Sequence, residues 1–272
     1  MKKVISAAML LILITVFSGG CKKKHDIGTP PELPPAGSMT IDFSNFTSAK
    51  KSLEVLPGQK GTENSNWNFA ATVAGIWNII IGTTLAVPVA SFGIAVNQQP
   101  EYTGDNTWQW SYDVTLGSIT YQARLTGKIE TGDVAWTMYI TKPGSYNDFV
   151  WFEGTSQLDG SGGQWILYQS NANPVPILQI DWIKPGDTIG TIKYTFIKSS
   201  DSFQSSYIEY GLTNTTLNAY YSIHYYNGVK FSDVDVEWNT TTGEGRVKSI
   251  DYLGDSNWYC WDSNHVNVIC TK

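Results

Sequence analysis

Charge is scarce in this sequence. Only 15% of its 272 residues are Asp, Glu, Lys or Arg, against about a quarter in an average globular protein. That excludes a disordered polyelectrolyte and a solvent-bathed array of helices. Lys and Arg number 18 against 24 acids, so there is no basic stripe and nucleic acid is excluded as a partner. There are only three histidines and three cysteines, too few for a zinc cluster, and no metal is expected. No HExxH, GxSxG or GxxxxGK segment occurs, and no GxGxxG opens a helix. The expectation is a non-enzymatic protein without a cofactor.

What is plentiful is Trp (11), Tyr (15) and Gly (25), the vocabulary of strands and turns. From Thr107 onward, β-rich runs alternate with turn formers such as Lys142-Pro143-Gly144 and Asn227-Gly228. Strands are expected at 107–116, 119–130, 134–141, 148–156, 164–170, 176–183, 188–198, 205–212, 217–226, 230–239, 244–252, 257–262 and 266–270. The short connections predict antiparallel neighbours. Trp108, Trp110, Tyr112 and Val114 share one face, as do Tyr121, Ala123 and Leu125, with Gln122 and Arg124 opposite. One apolar and one wet face describe a curved sheet or barrel wall. Open twisted sheets rarely exceed about ten strands without curling.

Before the meander, Ser38–Phe43 reads as a first strand with Met39, Ile41 and Phe43 on one face. No charged residue occurs from Asn64 to Pro100. Apolar spacing predicts a helix over 69–87 ended by Pro88, with a short second helix over 89–96. A helix apolar all round is expected to be enclosed by the curled sheet, with a membrane span as the alternative. The fold class is therefore α+β, mostly β: a long antiparallel meander, curled or closed, around one or two apolar helices.

The N-terminus carries an address. Met1-Lys2-Lys3 is followed by an uncharged, mostly apolar run from Val4 to Phe17 and then Ser18-Gly19-Gly20-Cys21, the layout of a secretory signal peptide. Cys21 after small residues resembles the lipobox of bacterial lipoproteins of the Bacteroidota type, with Ser18 where that family has Leu. The resemblance implies removal of residues 1–20, acylation of Cys21 and a membrane partner reached through the N-terminal lipid. Residues 21–37, with Pro30, Pro31, Pro34 and Pro35, read as a semi-rigid tether, and residues 38–272 as a single β-rich domain. Lys22 after the Cys implies the outer membrane. Lys22-Lys23-Lys24, where surface-exported relatives carry acids, implies a periplasm-facing protein. In layout alone, the expected fold is similar to Lol-type lipoprotein carriers, whose curved half-barrel holds helices against its concave face.

Several residue groups are candidates for chemistry. Cys260 and Cys270 lie in an oxidising compartment if the leader acts as read, and predict a disulfide across a hairpin turning at Ser263–His265. Pairing Ser263 with Asn267 places them opposite each other. Asp233, Asp235 and Glu237 share one strand face, as a cation site would require. If Asn239 pairs with Glu244, however, Glu237 faces Arg246 and Asp235 faces Lys248, which favours plain cross-strand pairs. Glu153 and Glu209 are acids beside aromatics, the raw material of a glycosidase pair if they converge. His224 is the one strand histidine. Trp108, Trp110, Tyr112, Trp136 and Trp151 are either core packing or the lining of a site for a hydrophobic ligand or glycan.

Overall fold

The computed structural model describes residues 28–46 and 63–270. Its frame is one antiparallel sheet in which every strand pairs with the next in sequence. In chain order these are β1 (Glu101–Gly104), β2 (Thr107–Leu116), β3 (Ile119–Ile129), β4 (Asp133–Lys142), β5 (Tyr146–Gln157), β6 (Gly162–Ser170) and β7 (Asn173–Ile183). Then come β8 (Thr191–Phe196), β9 (Tyr207–Leu212), β10 (Ala219–Tyr226), β11 (Phe231–Trp238), β12 (Gly245–Lys248), β13 (Tyr259–Trp261) and β14 (Asn267–Val268). The sheet does not close: β1 and β14 are not paired with each other. The runs expected from Thr107 onward correspond one to one with β2–β14, except that the run expected over 244–252 ends at Lys248 and gives way to a short helix, Ile250–Leu253, closed by Gly254 in the left-handed conformation. The short edge strand β1 was not foreseen.

One helix, α1 (Ser65–Ala95), bridges the opening. It packs against β2 and β3 on one side and β12, β13 and β14 on the other. Its N-terminal end is tied to the last hairpin: Asn66 Nδ2 donates to the Cys260 carbonyl at 2.9 Å, and Asn267 N donates to the Glu63 carbonyl at 2.7 Å. At its other end Tyr112 OH donates to the Ser91 carbonyl at 2.7 Å. Two expectations are corrected here. The helix does not stop at Pro88 but runs through it, because Pro88 is buried toward the sheet and the following turns are docked on β2. Nor is it enclosed: Ile79 is 44% and Ile80 38% exposed, so one face packs and the other looks outward.

The segment 28–46 shares the interior with α1. Gly28 lies beside the Trp108 ring, Trp165 Nε1 donates to Ser38 Oγ at 3.1 Å, and Tyr221 OH donates to the Asp42 carbonyl. Phe46 then packs among Trp67, Tyr221 and Trp238. Met39, Ile41 and Phe43 are all buried, as their alternation implied. They form no strand, however: the segment crosses the concave face with no ladder partner among the described residues, and 3-10 turns occupy Ala36–Met39 and Ser44–Phe46. Leu33 packs on the core and Pro34 is buried, inside the stretch read as tether.

The concave face has a recurrent construction. Trp108, Gly127, Trp136, Gly154 and Trp165 face one another in register across β2–β6. Indoles on alternate strands thus cover glycines on the strands between. A Cβ on Gly127 would lie 2.5 Å from Trp136 Cζ3, so the ring occupies the space a side chain would need. The row Trp238–Gly245–Trp261 repeats the device at the other end. Glycine beneath a cross-strand aromatic lets a strongly curved sheet bury large rings without overpacking.

The charge-pair register stands as derived. Asp235 faces Lys248 and Glu237 faces Arg246, with ion pairs of 3.0 and 2.6 Å. Asp233, the third acid, is held by His224 Nδ1 at 2.6 Å, so each acid of the trio has its own cross-strand partner. Lys248→Glu is expected to lower stability by about 1 kcal/mol, and Asp235→Lys in the same chain to restore most of it. A urea titration of the single and double variants checks this; no coupling between the two changes would contradict the pairing.

Candidate functional site

Much of the sequence-derived candidate set is structural. Trp108, Trp110 and Trp136 are 4%, 2% and 1% exposed and lie in the core, so they offer no face to an external ligand. Tyr112 spends its hydroxyl on α1, and burial pushes that hydroxyl far above its ordinary range. Trp151 is half-buried beside a β-bulge, packed edge-on against Tyr121 at 6.4 Å and tilted against Phe149 at 5.6 Å. Between the sheet and α1 the interior is occupied by the chain's own residues, among them Met39, Phe46, Trp77, Leu85 and Phe92.

The carboxylates proposed as a glycosidase pair do not converge. Glu153 is on β5 and Glu209 on β9, four strands apart on the outer face, about 19 Å measured along the sheet at ordinary strand spacing. Each is engaged locally: Tyr168 OH donates to Glu153 at 2.5 Å and Tyr220 OH to Glu209 at 2.7 Å. His224 has ring stacks on both sides, Tyr207 at 5.5 Å and Phe231 at 4.7 Å. With Nδ1 on Asp233 as well, the imidazole is held as a packing element. No group of three metal-ligating side chains occurs among the described residues.

Cys260 and Cys270 form a disulfide with Cα atoms 5.2 Å apart. The hairpin register differs from expectation by two residues: Cys260 faces Val268 and Trp261 faces Asn267. The turn is centred earlier, with Asp262 N donating to the Val266 carbonyl and His265 at φ 65°. The bond therefore crosses the ladder diagonally and ties the tail beyond β14 to β13. His265 stacks on Trp67 of α1 at 4.1 Å, which fixes this hairpin to the helix.

Beside that hairpin lies an open groove of about 610 Å³, within the range of small-ligand sites. One wall is the β9–β10 loop. It is braced internally: Thr213 and Thr215 share a hydroxyl bond of 2.9 Å, and Asn239 Nδ2 donates to the Thr216 carbonyl at 2.9 Å. The opposite wall is Val268 and Ile269, 44% and 92% exposed. Between them lie Tyr220 and the Glu237–Arg246 pair, with the Arg246 guanidinium stacked 4.4 Å from the Trp258 ring centre. Burial, then the hydrogen bond to Glu209, pushes the Tyr220 hydroxyl up to about 12, so it is neutral at ordinary pH. Glu244 and Asp262 also line the groove. Arg246 is already neutralised by Glu237, so the lining carries excess negative charge beside an apolar wall. Such a surface disfavours anions and suits a neutral or cationic ligand with an apolar edge.

The sequence reading missed this groove. Its residues come from five separate segments, and the one local signal was the pair of exposed aliphatics, Val268 and Ile269, beside the disulfide. Comparison of the chain with protein-family models, with curated proteins and with solved structures gave no match in any of the three.

Proposed function

We propose that the protein is a lipid-anchored component of the bacterial cell envelope with a non-enzymatic binding role, exercised at the groove between the β9–β10 loop and the β13–β14 hairpin. The observation carrying this reading is that the groove is open, whereas segment 28–46 and the packed face of α1 contribute their buried side chains to one core cluster with the sheet. The anchor reading rests on the leader and Cys21, and includes an outer-membrane, periplasm-facing position. The ligand class is a neutral or cationic molecule with an apolar edge. A glycan is the second reading, favoured by the acceptors Glu244 and Asp262 beside the Tyr220 ring.

Two experiments test this. Labelled palmitate should enter the wild-type chain and not Cys21→Ser; equal labelling, or none in either, removes the anchor. Saturation-transfer NMR with chitotriose and with tetrabutylammonium probes the groove. At least one should receive saturation, and Ile269→Asp or Asp262→Lys should change it by several-fold. If neither probe is saturated, or if neither variant matters, the groove is not the binding site.

A further inference from the structure

The outward face of α1 is as free of charge as the face that packs. Along it lie Asn68, Thr72, Ile79, Thr83 and Ala86, flanked by Asn78 and Ile80, and the chain from Asn64 to Pro100 has no Asp, Glu, Lys or Arg at all. A helix lying on a water-soluble domain normally turns charged side chains outward. Here the exposed centre presents Ile79 and Ile80 instead. By length and composition α1 is apolar enough to cross a membrane, yet a third (33%) of its most apolar window is buried in the protein.

The hydroxyls on the outward face are already satisfied by the helix itself. Thr72 Oγ1 donates to the Asn68 carbonyl at 2.7 Å, and Thr83 Oγ1 to the Ile79 carbonyl at 2.9 Å. Moving this face toward a lipid surface therefore strips no charge and keeps the Thr72 and Thr83 hydroxyls paired, while the exposed Asn68 and Asn78 amides suit the polar head-group layer. The chain also supplies reach. Gly28 enters the fold beside Trp108 of β2, the strand on which the C-terminal part of α1 docks through Tyr112 and Ser91. Gly28 lies seven residue steps beyond Cys21, a span of at most about 25 Å. The helix itself is about 46 Å long. Lys22, Lys23 and Lys24 lie between, a basic stub suited to anionic head groups.

We propose that the outward face of α1, centred on Ile79 and Thr83, rests on the lipid surface to which the chain is tethered. The protein then lies on the membrane along its helix instead of standing off on a flexible stalk, and the outer face of the sheet points away. This deepens the lipid-anchor reading and rests on it for the tether in the cell.

The test enforces the tether, so that acylation and face contact fail separately. The chain with residues 1–21 replaced by a hexahistidine segment is bound to vesicles of phosphatidylethanolamine, phosphatidylglycerol and a nickel-chelating lipid. It carries an environment-sensitive fluorophore (NBD) on Thr83→Cys or, as a control, on Thr155→Cys of the exposed sheet face. The Thr83 label should brighten several-fold and be quenched by a nitroxide-bearing lipid, while the Thr155 label stays in water. Ile79→Asp with Ile80→Asp, with folding checked by near-ultraviolet circular dichroism, should abolish the effect. A Thr83 label that behaves like the Thr155 label overturns the proposal. So does a Thr83 label already shielded without vesicles in a chain that sediments as a dimer, which would assign the face to a second copy.

Discussion

Gly154→Ala is expected to cost at least about 3 kcal/mol, the upper part of the range for forcing atoms into a packed interior. A Cβ there would stand 2.6 Å from Trp165 Cε3 and closer still to the Gln164 carbonyl oxygen. The second contact is with backbone, so no rotamer change relieves it. Gly127→Ala is the informative companion, because the three atoms nearest its Cβ all belong to the Trp136 indole. Gly127→Ala should be costly alone and partly repaired by Trp136→Leu, whereas Trp165→Leu should not repair Gly154→Ala. Urea titrations of the four variants read these differences. A Gly154→Ala loss below about 1 kcal/mol would mean that the tryptophan–glycine rows do not set the curvature of the sheet.

Phe46→Ala is expected to cost about 3–5 kcal/mol, the range for truncating a buried aromatic. Phe46 is 3% exposed, edge-on to Trp238 at 5.0 Å and tilted against Tyr221 at 5.6 Å. A residue this far upstream matters so much because the segment 28–46 is part of the core: the sheet curls around it, and its aromatic end joins β10 and β11 to Trp67 of α1. Thermal or urea denaturation of Phe46→Ala checks this. A loss below about 1 kcal/mol would show that the segment merely lies in a sheet that holds its own curvature.

The meander was legible in the sequence because its strands obey period two and its turns use Gly, Pro and Asn. The β11–β12 register was legible because two charge pairs fall into place together. The errors each have a physical origin. Pro88 reads as a helix stop, but docking on β2 holds the turns beyond it, so tertiary packing outweighs the lost backbone bond. Met39, Ile41 and Phe43 alternate as in a strand, yet alternation reports only burial, and among the described residues nothing lies alongside to complete a ladder. The composition of α1 cannot say which face is buried, since neither carries charge. The tryptophans posed the hardest question, because core and ligand platform call for the same residues. The usable signal was the glycine between them: Gly127 and Gly154 fall between Trp108, Trp136 and Trp165, and a glycine under each indole marks packing. The groove was the least legible, because a concavity built from five segments exists only once the fold does.

The central claim is that the interior is filled by the protein itself, so that ligands are met at the surface. Native mass spectrometry of the intact, disulfide-bonded Cys21→Ser chain, purified from cells without detergent, tests it most directly. The expected mass is that of the polypeptide alone; a stoichiometric lipid retained with each chain and lost only on unfolding would contradict a self-filled interior.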